Sequence, residues 1–200
     1  MKSKFLQILA LALLLPAFAA AEQAVYKVDA DHSGVGFTVR HFVSNVPGRF
    51  RDFDGVIKYD KQNPAASSVE FTVKAASIDT SNNDRDEHLR GKDFFDVQSF
   101  PTLTFTSTKV TAKDANNLNV TGNLTLHGVT KEVTIPVELL GSMKTPNGEK
   151  AGFETAFTIN RKDYGIVWNR VLDAGGSVLG DDVKVTISIE GNRQMEKPAK

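Results

Sequence analysis

From about residue 35 to residue 189 the chain keeps returning to one pattern, apolar then polar then apolar. Side chains of a strand alternate between two faces, so a period of two marks strands with one face to bury. Val35, Phe37, Val39 and His41 alternate with Gly36, Thr38 and Arg40. A second stretch runs from about Arg49 to Asp60, with Ile57 and Tyr59 on one face. Val69, Phe71 and Val73 oppose Glu70, Thr72 and Lys74, and Leu103 and Phe105 stand between threonines. Four further sets follow: Leu118, Val120, Gly122, Leu124 and Leu126; Val133, Ile135, Val137 and Leu139; Phe153, Thr155, Phe157 and Ile159; Val183, Val185, Ile187 and Ile189.

Eight such strands must cover their apolar faces, and no long amphipathic helix is available to do it. A closed barrel or a two-sheet sandwich remains. The expected fold class is all-β, an eight-stranded antiparallel β-barrel, because closure also removes exposed edges. The interior of such a barrel is filled by side chains or holds one small ligand. Short turns favour an up-and-down order. The clearest hairpin turns at His127-Gly128, and Asn147-Gly148 marks another. Asn82 to Phe95 reads instead as one short helix, capped by Asp79, Ser81 or Asn82 and ending at Gly91, with Leu89, Phe94 and Phe95 pinning it to the barrel. Lys162 to Asp182 is a long connection that carries the one tryptophan, Trp168.

The N-terminus is a different kind of segment. Lys2 and Lys4 precede an apolar run from Phe5 to Leu15, then Pro16 and the small residues Ala17 to Ala21. That is the layout of a cleavable export signal, with cleavage expected after Ala21, or else after Ala19. The run falls short of the ~20 apolar residues of a spanning helix, so stable membrane insertion is not expected, although an uncleaved anchor is the competing reading. Residues 22–192 then form one barrel domain, and 193–200 a polar tail. Lys and Arg together equal Asp and Glu, at 24 each, which argues against a nucleic-acid partner. Without cysteine there is no thiol nucleophile, thiolate metal site or disulfide.

Little in the chain points to catalysis. Ser33 follows His32, but no Gly-x-Ser-x-Gly elbow occurs. The histidines His32, His41, His88 and His127 show no close metal-ligand spacing, and no metal is expected. His32 stands before a strand, where it would satisfy a backbone group, and His127 is a polar turn residue. By alternation His41 shares a face with Phe37 and Val39. It is either a core histidine with one hydrogen-bond partner or a polar contact for a ligand. Arg85 and Arg90 on the short helix could meet an anionic group at a barrel mouth, or the helix could be exposed with an internal Asp86–Arg90 pair. The telling feature is 13 Phe against three Tyr and one Trp. Such apolar bulk makes either a packed core or a dry tunnel for an apolar chain.

Several runs then resemble one known family. Tyr26-Lys27-Val28-Asp29, His32-Ser33 and Phe37-Thr38-Val39-Arg40-His41 are similar to the start of the YceI-like family. So are Gly48-Arg49-Phe50-Arg51-Asp52-Phe53-Asp54-Gly55, Arg85-Asp86-Glu87-His88-Leu89-Arg90, Asp93-Phe94-Phe95-Asp96 and Leu124-Thr125-Leu126-His127-Gly128-Val129-Thr130-Lys131. The resemblance covers nearly the whole mature chain and is nearest to periplasmic bacterial members. It implies a lipocalin-like barrel with an internal tunnel for a polyisoprenoid, an isoprenoid quinone, an isoprenyl phosphate or a fatty amide. It implies no catalytic residue and no cofactor beyond such a ligand.

The reading is therefore a periplasmic carrier for a long-chain isoprenoid or lipid. The expected lining is Val35, Phe37, Val39, His41, Phe71, Val73, Phe105, Leu124, Ile135 and Phe157, with Arg85, His88 and Trp168 at the mouth. A homodimer is left open. Two alternatives stand beside it: a stress-related structural barrel filled by its own side chains, and a lipid-acting hydrolase or isomerase using His41 or His88 as base.

Overall fold

The computed structural model describes residues 23–170 and 178–195. The export signal lies outside them. In chain order the strands are β1 (Ala24–Val28), β2 (Gly34–His41), β3 (Ser44–Phe50), β4 (Phe53–Tyr59), β5 (Ser68–Lys74) and β6 (Ile78–Asp79). Helix α1 (Asn83–Arg90) follows, then β7 (Thr102–Ala112), β8 (Asn117–Leu126), β9 (Val129–Thr145), β10 (Gly148–Asn160) and β11 (Leu179–Arg193).

Eight of these strands close a ring in the order β1-β4-β5-β7-β8-β9-β10-β11, with β11 pairing back onto β1. All neighbours are antiparallel, and from β4 onward the ring follows chain order as an up-and-down meander. The barrel expected from alternation is therefore present, but its membership differs in one place. The expected first strand is β2, which stands outside the ring, and the ring is completed by the five-residue β1. Five residues are too few to show alternation.

The long strand β11 explains how both fit. Its last residues pair β1, as Val28 to Gly191 and Tyr26 to Arg193. Its earlier residues pair β2, from Ser188 with Gly34 to Leu179 with His41. One edge is thus handed from β2 to β1 across the short 3-10 turn Ala30–His32. The hairpin β2–β3, with β6 added to β3, extends the wall beyond the ring. The expected single strand from Arg49 to Asp60 breaks at Arg51-Asp52 for the same reason, because β3 pairs β2 while β4 pairs β1 and β5. β11 also runs through Arg193, into the segment expected to be tail.

Local chemistry accounts for the turns. His127 (φ 50°) and Gly128 (φ 74°) both take the left-handed region that a two-residue hairpin of this twist requires. Asn82 caps α1, its side chain accepting from the Arg85 amide, and Gly91 ends the helix. Leu89 and Phe95 pack on the main core, and with Phe94 on a second cluster around Leu126, Tyr164 and Ile166.

Burial is uneven along the barrel axis. Towards β1 the inward side chains Tyr26, Val35, Phe50, Leu118, Phe153 and Ile189 are buried in one cluster, and all but Tyr26 also border the space that opens towards the helix. Towards the helix the inward residues Phe37, Val39, Phe157, Val183, Val185 and Ile187 are only half-buried. All six border the interior space, and Phe37, 5.8 Å from the Phe50 ring, and Ile187 also pack on the buried cluster. Cross-strand pairs explain how phenylalanine lines this end without filling it. Phe37 lies opposite Gly48, and Phe71 opposite Gly55. A Cβ on Gly48 would fall 2.2 Å from the Phe37 ring, and one on Gly55 2.5 Å from the Phe71 ring. Each ring occupies the space that a side chain on its glycine would take.

Candidate functional site

The half-empty end is a cavity of about 570 Å³. That volume lies within the roughly 300–1,000 Å³ of small-molecule sites, and a barrel filled by its own side chains does not leave it. Each expected lining residue faces it: Val35, Phe37, Val39, His41, Phe71, Val73, Phe105, Leu124, Ile135 and Phe157. Arg85, His88 and Trp168 line it as well. Apart from Glu154 of β10, its ionisable residues are His41, Asp84, Arg85, His88 and Arg161, so polarity gathers at the helix end.

That end is assembled from α1, the β2–β3 hairpin and the segment after β10. Arg85 donates from Nε to Thr80 Oγ1 (2.7 Å) and from Nη2 to the Thr80 carbonyl (2.7 Å). Its guanidinium is thereby held in place while still lining the cavity. The expected Asp86–Arg90 pair does not form. Asp86 is buried and accepts from the Thr80 amide (2.8 Å) and the Thr80 hydroxyl (2.5 Å). Arg90 donates to the carbonyls of Ala76 and Ile78, both at 2.8 Å, and does not line the cavity. Both side chains dock the helix onto the 76–80 segment, where they satisfy backbone groups, and this contact replaces the solvent-side pair.

His88 meets Asp93 at 2.9 Å through Nε2, and its ring stands edge-on to Phe94 (5.0 Å) and Trp168 (5.3 Å). These contacts join α1 to the segment carrying Trp168. His41 is half-buried and edge-on to Phe42 at 4.6 Å. Its ring has no hydrogen-bond partner among the described residues. It is therefore not a core histidine satisfied by one bond, and it lines the cavity.

Arg161 carries no mark in the sequence yet organises the mouth. Only 4% exposed, it donates to the carbonyls of Gly180 (2.9 Å), Ile166 (2.8 Å) and Trp168 (2.8 Å), and its Nη2 meets Asp181 at 3.0 Å. Burial pulls its pKa below the usual value, against the opposing pull of Asp181. One cation thus ties the loop that presents Trp168 to the start of β11. His127 also does more than fill a turn. Its Nδ1 lies 3.1 Å from the Tyr164 carbonyl and its ring packs on Phe100 at 4.7 Å.

Away from the cavity, His32 pairs with the Asp29 carboxylate (3.1 Å) where a backbone partner was expected. With Glu190 these two are close enough to share a cation, a grouping the linear spacing hides. The Lys150 ammonium already sits there, on Glu190 and 3.4 Å from Asp29, so one of the two negative charges is balanced from within the chain. The Gly175-Gly176 pair of the long connection lies outside the described residues.

Three comparisons place this architecture. A family model described as the YceI-like domain matches residues 26–191. A UPF0312 protein of Pseudomonas paraeruginosa is 42% identical over 198 residues, covering 97% of this chain and 100% of its own. The crystal structure of Burkholderia cenocepacia BcnA superposes with a TM-score of 0.72 at 28% identity, over 82% of this chain and 98% of that one. A Saccharophagus degradans domain described as polyisoprenoid-binding and implicated in plant cell wall breakdown has a TM-score of 0.64, covering 86% of this chain and 100% of its own, and at 16% identity shows the shared fold. Among the described residues no helix is long and apolar enough to cross a membrane. By sequence and by fold, this chain belongs to the YceI-like family.

Proposed function

We propose that the protein binds one long apolar molecule of the polyisoprenoid or isoprenoid-quinone type inside the barrel, and acts as its carrier or reservoir in the periplasm. The observation that carries this is the cavity of about 570 Å³, walled by phenylalanine and branched aliphatic residues, with Arg85, His88 and His41 gathered at one end. Apolar walls favour the chain of an amphiphile, at about 25 cal/mol per Å² buried before ordering costs. The polar end suits its head group, where the fixed Arg85 guanidinium and the His41 ring can donate hydrogen bonds. The polyisoprenoid-binding description of the Saccharophagus relative supports the same ligand class. Binding is favoured over catalysis because His88, the histidine with a carboxylate partner, has aromatic rings on its other sides and no hydroxyl nucleophile among its described contacts.

Trp168 is the one tryptophan and lines the cavity, so it reports directly on occupancy. Titration with a quinone carrying an isoprenoid tail should quench its fluorescence saturably, and the tailless quinone should quench far less. Equal quenching by both, or none by either, would overturn the proposal.

A further inference from the structure

Six large apolar side chains are exposed among the described residues: Phe42, Val43, Leu140, Met143, Val167 and Met195. The first of them, with Val43 and Val167, gather at the cavity mouth. The Phe42 amide donates to the Val178 carbonyl (2.9 Å), and the Val178 amide to the Arg170 carbonyl (3.1 Å). Leu179, paired with His41, also meets the Asn169 side chain. The hairpin tip, the start of β11 and the segment from Val167 to Arg170 therefore lie side by side. His41 and Trp168, the neighbours of Phe42 and Val167, line the cavity.

The fold gains little from these side chains. Val43 is 92% exposed, Val167 64% and Phe42 44%. Phe42 also holds φ 50°, a left-handed backbone that disfavours a bulky aromatic and would suit Gly or Asn. An apolar tip kept at a conformational cost calls for a partner. Two exposed arginines flank it: Arg40, whose Nε donates to the Phe42 carbonyl (3.0 Å), and Arg170. Aromatic and aliphatic tips beside cations suit the boundary of an anionic bilayer, where apolar groups enter the head-group layer and guanidinium groups pair with phosphates.

We infer that this rim docks on a lipid bilayer bearing anionic head groups, with the cavity mouth turned to the membrane. An apolar ligand then passes between bilayer and barrel without exposing its chain to water. This inference rests on the carrier reading above. The exposed acids of α1, Asp84 and Glu87, favour contact through the hairpin and the Val167 side.

Flotation of the purified protein with mixed phosphatidylethanolamine–phosphatidylglycerol vesicles tests it. The wild type should float, less so at high salt or with phosphatidylcholine vesicles. Replacing Phe42→Ser and Val43→Ser together should lower vesicle partitioning by roughly tenfold or more. A control with Leu140→Ser and Met143→Ser should float like the wild type. Met143 lies beside Lys150 and thence Asn192, whereas His41 lies beside Leu179, a separation of roughly 40 Å along β11. No flotation of the wild type, flotation of the tip variant like the wild type, or equal loss in the control would overturn the inference. So would binding only to vesicles that contain membrane protein, which would put a protein at the rim. Quinone quenching of Trp168 in detergent micelles separates the two claims. A tip variant that still binds quinone but no longer floats supports docking. A wild type that floats through its tip yet binds no quinone would retire the carrier reading and leave docking standing.

Discussion

Lengthening two inward valines distinguishes a hollow barrel from a packed one by the sign of the effect. Val69 and Val185 both face the cavity and are half-buried. They stand on β5 and β11, separated in the ring by β1 and β4, so their effects should add. Each Val→Leu change adds one methylene. In open apolar space that methylene becomes buried and contributes about 0.8 kcal/mol, less a few tenths for the weaker strand preference of leucine. The double variant should therefore be more stable by about 1 kcal/mol. In a filled core each added methylene would force a misfit costing about 1–3 kcal/mol, for a loss of about 2–6 kcal/mol together. Urea unfolding of the delipidated protein, followed by far-UV circular dichroism, reads the difference as a midpoint shift at constant slope. A rise or no change, with weaker uptake of a long-tailed quinone, is the expected result. A loss of more than about 2 kcal/mol would refute the reasoning.

Arg161→Met should destabilise the protein by about 1–3 kcal/mol, since it takes the Arg161 donor from three carbonyls while Asp181 keeps Lys162, and Trp168 emission should shift to the red. Urea unfolding and the emission spectrum check both parts, and unchanged emission would mean the loop holds itself. Gly48→Val should drive the Phe37 ring off the wall and into the cavity, so quinone binding should fall at least tenfold while the fold persists. Normal binding by that variant would show that Phe37 does not shape the cavity. The amide of Asn192, then His32 and Lys150, hold the Asp29 carboxyl down from 3.8 to about 2. A depressed folded-state pKa stabilises above the unfolded value, and that contribution is lost as pH falls towards about 2. Asp29→Asn should accordingly lower the unfolding midpoint at neutral pH, and its difference from the wild type should close between pH 3.8 and about 2. A difference that stays constant with pH would show that the charge of Asp29 is not involved.

The strands β5 and β7 to β11 were legible because each has one face inward and enough residues to show it. The helix was legible from Asn82 and Gly91, and the hairpin from His127-Gly128. β1 was not, since five residues carry no period and its place depends on the far end of β11. The break at Arg51-Asp52 is a change of pairing partner, and nothing in the local residues announces it. Whether the barrel is hollow was equally hidden. Phe37 reads as core-filling bulk until β3 sets Gly48 beneath its ring. The cavity-facing strand residues followed from alternation, because the ring strands and β2 each turn one face inward. Arg161 and the Asp86–Thr80 contact escaped, since each satisfies backbone groups brought near only by folding.

Mass spectrometry of organic extracts from the purified protein tests the binding of an apolar ligand most directly. The expected result is a stoichiometric long-chain isoprenoid or related amphiphile, displaced when a tailed quinone is added in excess. Protein that extracts empty, and that takes up neither quinone nor polyprenyl ligands, would contradict the account.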